Sequence, residues 1–177
     1  MKKAAFLDRD GVINKRAGDG GYILNWGEFE ILSGVPEAIT QLNRAGFQVI
    51  VVTNQQCVAK GLITIAGLEE IHRNLQRELA DAGAHLDAIY YCPHGSDESC
   101  ACRKPAPGML LTAAKEHDLD LASSWIIGDA DSDIVAGQSA GCKTILITGD
   151  LHPSAGTVAN STVESLPAAV KRILAAA

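Results

Sequence analysis

Short continuous apolar runs alternate along this chain with segments of helical periodicity. The first run, Ala4-Ala5-Phe6-Leu7, predicts a buried strand. Gly34-Val35-Pro36 opens a helix that runs to about Ala45, with Pro36 near its first position and Gly46 as its stop. Phe47 to Val52 is rich in β-branched residues and reads as a second buried strand. Thr64 stands where a cap belongs for a longer helix with the apolar stripe Ile65, Leu68, Ile71, Leu75 and Leu79, ended by Gly83. Leu86 to Tyr91 predicts a third strand, and Pro107 begins a helix to about His117. Trp125-Ile126-Ile127 is a fourth strand, and a helix follows from about Ser132 to Ala140, closed by Gly141. Lys143 to Ile147 is a fifth strand, Asp150 to Thr162 is polar without a clear pattern, and Leu166 to Ala177 is an amphipathic helix. Strands alternating with helices imply βαβ units: an α/β, Rossmann-like fold with a central, mainly parallel sheet and helices on both faces.

Composition narrows this further. A length of 177 residues suits one domain, 1–177, and 47% hydrophobic with 20% charged residues suffices for a core. The net charge of -6 argues against nucleic acid and anionic membranes as partners. No apolar run approaches the ~18 residues of a membrane span. The four apolar residues between Lys3 and Asp8 are too few for a signal peptide, so a cytoplasmic chain with reduced thiols is expected. Five cysteines are an odd number and a poor disulfide framework.

The polar residues gather where the strands end. Asp8-Arg9-Asp10-Gly11 follows the first, Thr53-Asn54-Gln55 the second, Cys92 to Lys104 the third, and Gly128-Asp129-Ala130-Asp131 the fourth. In open α/β sheets ligands bind beyond the carboxyl ends of the strands, so these groups converge on one crevice. Each element alone is commonly a turn or a cap; four in order on four strand ends point to a site. Asp8, Asp10 and Asp129 form a negative pocket that demands a cation, and hard oxygen ligands select Mg²⁺. Thr53 and Lys104 bring a hydroxyl and an ammonium suited to a phosphoryl group. One carboxylate can attack phosphorus, and a second two residues away can protonate the leaving oxygen and then activate water. Asp129-x-Asp131-x-Asp133 is not an EF-hand, because Ile134 and Ala140 stand where glycine and an acid are required.

The long irregular stretch between the third strand and the next helix has its own explanation. Cys92, His94, Cys100 and Cys102 make a Cys₃His set within eleven residues, the composition of a closed tetrahedral structural zinc site. Zinc would fold the loop 92–105 and hold Arg103 and Lys104 over the crevice. A Cys92–Cys100 disulfide is the alternative, disfavoured by compartment. Cys142 reads as a core residue, while Cys57, after Thr53, could lie near the crevice. Trp125 reads as core, and Tyr22 and Trp26 as shaping the rim. His72, His85, His117 and His152 read as surface or helix positions, and Glu69, Glu70 and Glu78 as a solvated helix face.

Asp8-Arg9-Asp10-Gly11-Val12, Thr53, Arg103-Lys104-Pro105 and Gly128-Asp129 with Asp133 resemble the four motifs of the haloacid dehalogenase (HAD) superfamily, in order over nearly the whole chain. The resemblance implies a Mg²⁺-dependent phosphatase without a large cap domain. Asp8 would be the nucleophile and Asp10 the general acid/base. Mg²⁺ would be held by the Asp8 carboxylate, the Asp10 main-chain carbonyl and Asp129. Thr53 and Lys104 would stabilise the transferring group, with Asp133 orienting Lys104 or a metal-bound water. Val12 stands where threonine is common; Asp10 separates phosphatases from dehalogenases, which lack it.

Cys-Pro-His followed by Cys-x-Cys-Arg-Lys-Pro is similar to the group of histidinol-phosphate and heptose bisphosphate phosphatases. Asp19-Gly20-Gly21-Tyr22 resembles the substrate loop of the heptose branch, and Val51-Val52-Thr53-Asn54-Gln55 and Ala59-Lys60-Gly61 its next segments, which implies substrate contacts at Asp19 to Tyr22 and Thr53 to Gln56. Lys15 to Gly18 lengthens the loop before Asp19, and Gln56-Cys57 replaces the more usual Ser-Gly. The resemblance implies removal of the 7-phosphate of a heptose 1,7-bisphosphate, in the making of lipopolysaccharide heptose precursors, with histidinol phosphate as the alternative substrate. Arg103, beside Lys104, is expected to recognise a substrate oxygen or second phosphate. The partner is then a small phosphorylated sugar, not nucleic acid or membrane, and the chain a monomer. A nucleic-acid 3′-phosphatase is opposed by the acidic charge, and a zinc-stabilised binding module with a dead pocket by the intact Asp8, Asp10, Thr53, Lys104 and Asp129.

Overall fold

Strand β1, Ala4–Leu7, is fully buried and lies at the centre of a parallel sheet. The computed structural model describes residues 1–148 and 158–176 of the chain. Around β1 are β2 (Gln48–Asn54), β3 (Ala88–Cys92), β4 (Trp125–Gly128), β5 (Lys143–Ile147) and β6 (Ser161–Val163), in the order β3-β2-β1-β4-β5-β6. Every pairing is parallel. The strand order reverses at β1, which pairs with β2 on one side and β4 on the other. A crevice therefore opens between the carboxyl ends of β1, β2 and β4, the place where such sheets bind ligands.

The helices are α1 (Val35–Arg44), α2 (Ile65–Asp81), α3 (Gly108–His117), α4 (Asp131–Ala140) and α5 (Leu166–Ala175). Strand side chains alternate between faces, which splits the core in two. Ala5, Leu7, Val49, Val51, Ile127 and Ile145 pack with Val35, Ile39 and Leu42 of α1, Ile71, Leu75 and Leu79 of α2, and Val170 and Ile173 of α5. Ala4, Phe6, Ile50, Val52 and Ile126 pack with Met109, Leu110 and Ala113 of α3 and Ala136 of α4. Trp125 and Cys142 are buried, as their sequence context predicts.

Local signals explain most element ends. The Thr64 hydroxyl accepts the Gly67 N–H at the start of α2, as a cap should. Pro36 sits in the first turn of α1, where the missing N–H costs nothing. Two details depart from the pattern. Ile65, counted in the α2 stripe, is about half exposed at the first position of the helix. The segment read as patternless ends in β6, too short and polar to announce itself. Its stretch 149–157, with His152, lies outside the described residues, as does Ala177 at the end of the last helix.

Candidate active site

The crevice is a cleft of about 420 Å³ lined by Asp8 and Asp10 beyond β1, Thr53, Asn54 and Gln55 at the end of β2, Lys104, and Ala130, Ser132 and Asp133 at the start of α4. Arg16, Ala17, Gly20, Gly21, Tyr22 and Ile23 close its outer wall. Four of the segments picked out from the sequence thus meet in space. The turn after β1 is tight at Gly11, whose φ of +94° suits glycine. A Cβ there would also sit 1.7 Å from Asp129 Oδ2, so only glycine lets β1 and β4 bring their carboxylates together.

Lys104 is the electrostatic centre. Its buried ammonium donates to Asp8 Oδ1 at 2.8 Å and to the Val52 carbonyl at 2.7 Å, and stands 2.5 Å from Asp133 Oδ1. Burial would discharge it, but the Asp133 and Asp8 carboxylates overcome this and hold it charged. Burial pushes the Asp8 carboxyl up to about 6, with Lys104 opposing and Asp133 and Asp10 adding to the rise. Asn54 grips the Lys104 main chain from both sides, its Nδ2 donating to Lys104 O and its Oδ1 accepting Lys104 N–H, each at 3.0 Å. Although Asn54 lines the cleft, its amide is spent on placing Lys104.

Asp10 is ordered by a different set. Its carboxylate accepts from Asn14 Nδ2 and Gln55 Nε2, both at 2.9 Å, and pairs with Arg9 at 3.1 Å. Burial would raise its pKa; the Arg9 charge and the hydrogen bonds from Asn14, Arg9 and Gln55 hold it below the usual carboxylate range. Gln55 Nε2 also donates to Thr53 Oγ1 at 2.9 Å, which links the two segments.

Arg9 had no role assigned from sequence. Its side chain is fully buried beneath the cleft, against Asp10, Gln55 Oε1 and His72 Nε2, with its guanidinium over the Phe29 ring. His72, read as a surface or helix position, is on α2 but buried, and burial followed by the Arg9 charge takes its pKa down to about 3. Below about pH 6.5 the unfolded chain binds a proton that the fold refuses, so stability falls as pH drops from 6.5 toward 3. Between pH 7 and 5.5 this amounts to about 1 kcal/mol. Urea titrations at both pH values should show His72→Gln losing less stability than the parent; equal losses would refute the assignment.

Two donor sets could hold metals. Carboxylate oxygens of Asp8, Asp129 and Asp133 lie within 4.8 Å of one another. Asp129 Oδ1 is buried with no hydrogen-bond partner, while Asp129 Oδ2 accepts from Arg16 Nε at 2.5 Å. A crowded set of hard oxygens with one orphaned atom fits Mg²⁺. The second set is Cys92, His94, Cys100 and Cys102. Cys92 Sγ is 3.2 Å from Cys102 Sγ and 3.7 Å from Cys100 Sγ, and His94 Nδ1 is 3.4 and 3.3 Å from Cys92 and Cys102. Tetrahedral Zn–S bonds of ~2.3 Å set edges of ~3.8 Å, so the four donors already converge on one centre. All five cysteines are free, so the alternative Cys92–Cys100 bridge is not formed.

The remaining expected residues lie at the rim or beneath it. Arg103 donates to the His94 carbonyl at 3.2 Å and to Gln56 Oε1 at 3.4 Å, and Gln56 Nε2 donates to Tyr22 OH at 2.7 Å. The arginine of the 92–105 loop and the tyrosine of the outer wall are thereby joined through Gln56. The Asp19 side chain lies outside the described residues. Cys57 is buried under the cleft with its thiol pushed up by burial, a poor nucleophile.

The family model for HAD-hydrolase-like proteins matches residues 101–170. D-glycero-beta-D-manno-heptose-1,7-bisphosphate 7-phosphatase of Escherichia coli strain K12 is 41% identical over 182 residues, 96% of this chain and 94% of the relative. The Helicobacter pylori 26695 enzyme of the same name is 41% identical over 146 residues, 82% of this chain and 83% of the relative. The crystal structure of a D,D-heptose 1,7-bisphosphate phosphatase from B. bronchiseptica, complexed with magnesium and phosphate, superposes with a TM-score of 0.87 at 37% identity and covers 99% of both chains.

Proposed function

Because the chain belongs to the family of HAD phosphatases that includes the heptose 1,7-bisphosphate phosphatases, we propose that it hydrolyses the 7-phosphate of D-glycero-D-manno-heptose 1,7-bisphosphate. The observation that carries this reading is the cleft itself, in which Asp8, Asp10, Thr53 and Lys104 meet beneath a wall containing Tyr22, with a carboxylate oxygen of Asp129 within 4.8 Å of Asp8.

In this reading Asp8 attacks phosphorus. Lys104 keeps it ionised by direct contact, and Asp133 and Asn54 fix Lys104 from behind. The Asp8–P bond forms as the bond to the sugar oxygen breaks, and Asp10 delivers a proton to that oxygen. Asp10 then takes a proton from the water that cleaves the aspartyl phosphate and returns free Asp8 and phosphate. The lowered pKa keeps Asp10 ionised at rest, and the incoming phosphate's negative charge pushes it back up toward the range that both proton transfers need. Thr53 Oγ1, oriented by Gln55, is placed to donate to a phosphoryl oxygen. Asp8, the Asp10 carbonyl and Asp129 would hold Mg²⁺, which offsets the carboxylate charge and that of the phosphoryl oxygens when bound. Cys92, His94, Cys100 and Cys102 would hold a structural Zn²⁺ and with it the loop that carries Arg103 and Lys104. Arg103, Gln56 and Tyr22 form the connected rim that would read the sugar end, together with Asp19, Gly20 and Gly21.

Among the described residues no helix is long and apolar enough to cross a membrane. Phosphate release from the heptose bisphosphate and from histidinol phosphate tests the substrate. A kcat/KM at least about tenfold higher for the bisphosphate is expected; a higher value for histidinol phosphate would reassign the enzyme.

A further inference from the structure

Two cationic side chains line the cleft, Lys104 and Arg16. An ammonium has three N–H groups, and the three acceptors around Lys104 Nζ take them up: Asp8, Val52 O and Asp133. Arg9 is buried below and does not reach the lining. Arg16 is different. Its side chain is 47% exposed and commits one donor, Nε, to Asp129 Oδ2. Among the described residues nothing accepts from its two terminal amino groups, which offer four N–H in the planar fork that matches a phosphate edge.

The charges around the cleft add a second argument. Asp8, Asp10, Asp129 and Asp133 face Arg9, Arg16 and Lys104, which leaves one negative charge in excess. A phosphate dianion is repelled by that balance. One divalent cation reverses it, and makes the Arg16 charge on Asp129 redundant. The loop geometry permits release: the main chain at residue 15 is held by Asn14 Nδ2 on Lys15 O and by Lys15 N–H on Glu30 O, both at 2.9 Å. The Arg16 side chain can therefore swing from a fixed base. Along the wall it would swing past, Ala17, Gly20, Gly21 and Tyr22, the nearest other cation is Lys60, which stands over the Tyr22 ring at 5.1 Å and does not line the cleft.

We propose that Arg16 is a substrate-binding residue held in reserve: its ion pair with Asp129 gives way when Mg²⁺ takes that carboxylate, and the released guanidinium clamps a phosphate oxygen of the substrate. The proposal rests on the phosphatase reading for its second half only. The exchange also couples the two binding events, since Mg²⁺ on Asp129 releases the Nε that anchors the guanidinium and lets the whole fork turn to the substrate.

Arg16→Ala and Arg16→Lys test it, with Lys15→Ala as a control that removes a neighbouring charge paired only with Glu30, at 3.5 Å. Calorimetric titration with Mg²⁺ alone reads the first half without turnover. Exposed ion pairs are weak, so Arg16→Ala should bind Mg²⁺ only about two- to fivefold more tightly, with Lys15→Ala unchanged. In turnover assays KM should rise roughly tenfold in Arg16→Ala with a smaller change in kcat, and Arg16→Lys should recover part of it. If KM rises for the heptose bisphosphate but not for p-nitrophenyl phosphate, the clamped oxygen belongs to the non-reacting phosphate; if it rises for both, to the transferred one. Mg²⁺ affinity that is unchanged or weaker in Arg16→Ala, equally tightened in Lys15→Ala, or an unchanged KM for both substrates overturns the proposal. Absence of turnover in the parent protein would instead refute the phosphatase reading and leave the Mg²⁺ titration as the test of the ion pair.

Discussion

Asp8→Asn is expected to leave the fold intact and lower kcat by roughly 10⁴-fold or more, the scale seen when a covalent nucleophile is removed. The carboxamide keeps an oxygen to accept from Lys104 at the position of Asp8 Oδ1, now 2.8 Å away, and Asp133 continues to neutralise the ammonium. What is lost is the nucleophile. The amide oxygen carries no full charge, and burial, which costs the carboxylate, costs the amide far less. The variant should therefore melt at or above the temperature of the parent while phosphate release disappears. A brief incubation with substrate followed by acid quench should show a phosphoryl adduct on the parent protein and none on the variant. Turnover within tenfold of the parent would remove Asp8 from the nucleophile role.

Why Asp8 could be singled out from sequence, and Arg16 could not, comes down to the range of each signal. Asp8 and Asp10 are two residues apart directly after an apolar run, and the turn that joins them needs Gly11; all of this is local. The cysteines and His94 also lie within one short loop. Arg16 meets Asp129 across 113 positions, and Arg9 meets His72 across 63; only the folded sheet shows that these charges are neighbours. The Asn54 grip on Lys104 is equally non-local, which is why Asn54 reads as a ligand residue from its motif and as a support from its contacts. Strand β6 was hidden for a different reason: three residues with two hydroxyls carry no apolar signal, and pairing with β5 alone makes them a strand.

Loss of the zinc set is the second large effect. Cys102→Ser should abolish stoichiometric zinc by metal analysis and lower Tm by at least about 10 °C, since binding energy at such a site is folding energy. Activity should fall with it. The loop from Cys92 to Pro105 has little core of its own, and its link to the fold runs through Cys92 on β3, the Asn54–Lys104 bonds and the Gly108 N–H to Ala101 O bond at 3.0 Å. Without the metal Lys104 keeps those bonds and its contacts with Asp8, Val52 O and Asp133, while the loop around it loses the centre that closes it. Lys143→Ala, whose side chain lies over the Trp125 ring at the far end of β4, serves as a distant control and should change neither zinc content nor turnover. Full zinc loss with an unchanged Tm would show that the loop is stapled by its hydrogen bonds instead.

Strand β1 lies between partners that are made much later. Its register joins Ala4 to Gln48 and Ala5 to Trp125, and the Asp8 N–H is satisfied only by Ile127 O, at 2.9 Å. During synthesis β1 therefore waits for β4. At about 5–20 residues per second that interval is roughly 6–24 s. Through that time an apolar strand has at most one of its two edges covered, and the nucleophile has no pocket. Enzymatic competence arrives all at once, only when β4 has been made, and a chain stalled before β4 is an aggregation hazard rather than a weak enzyme.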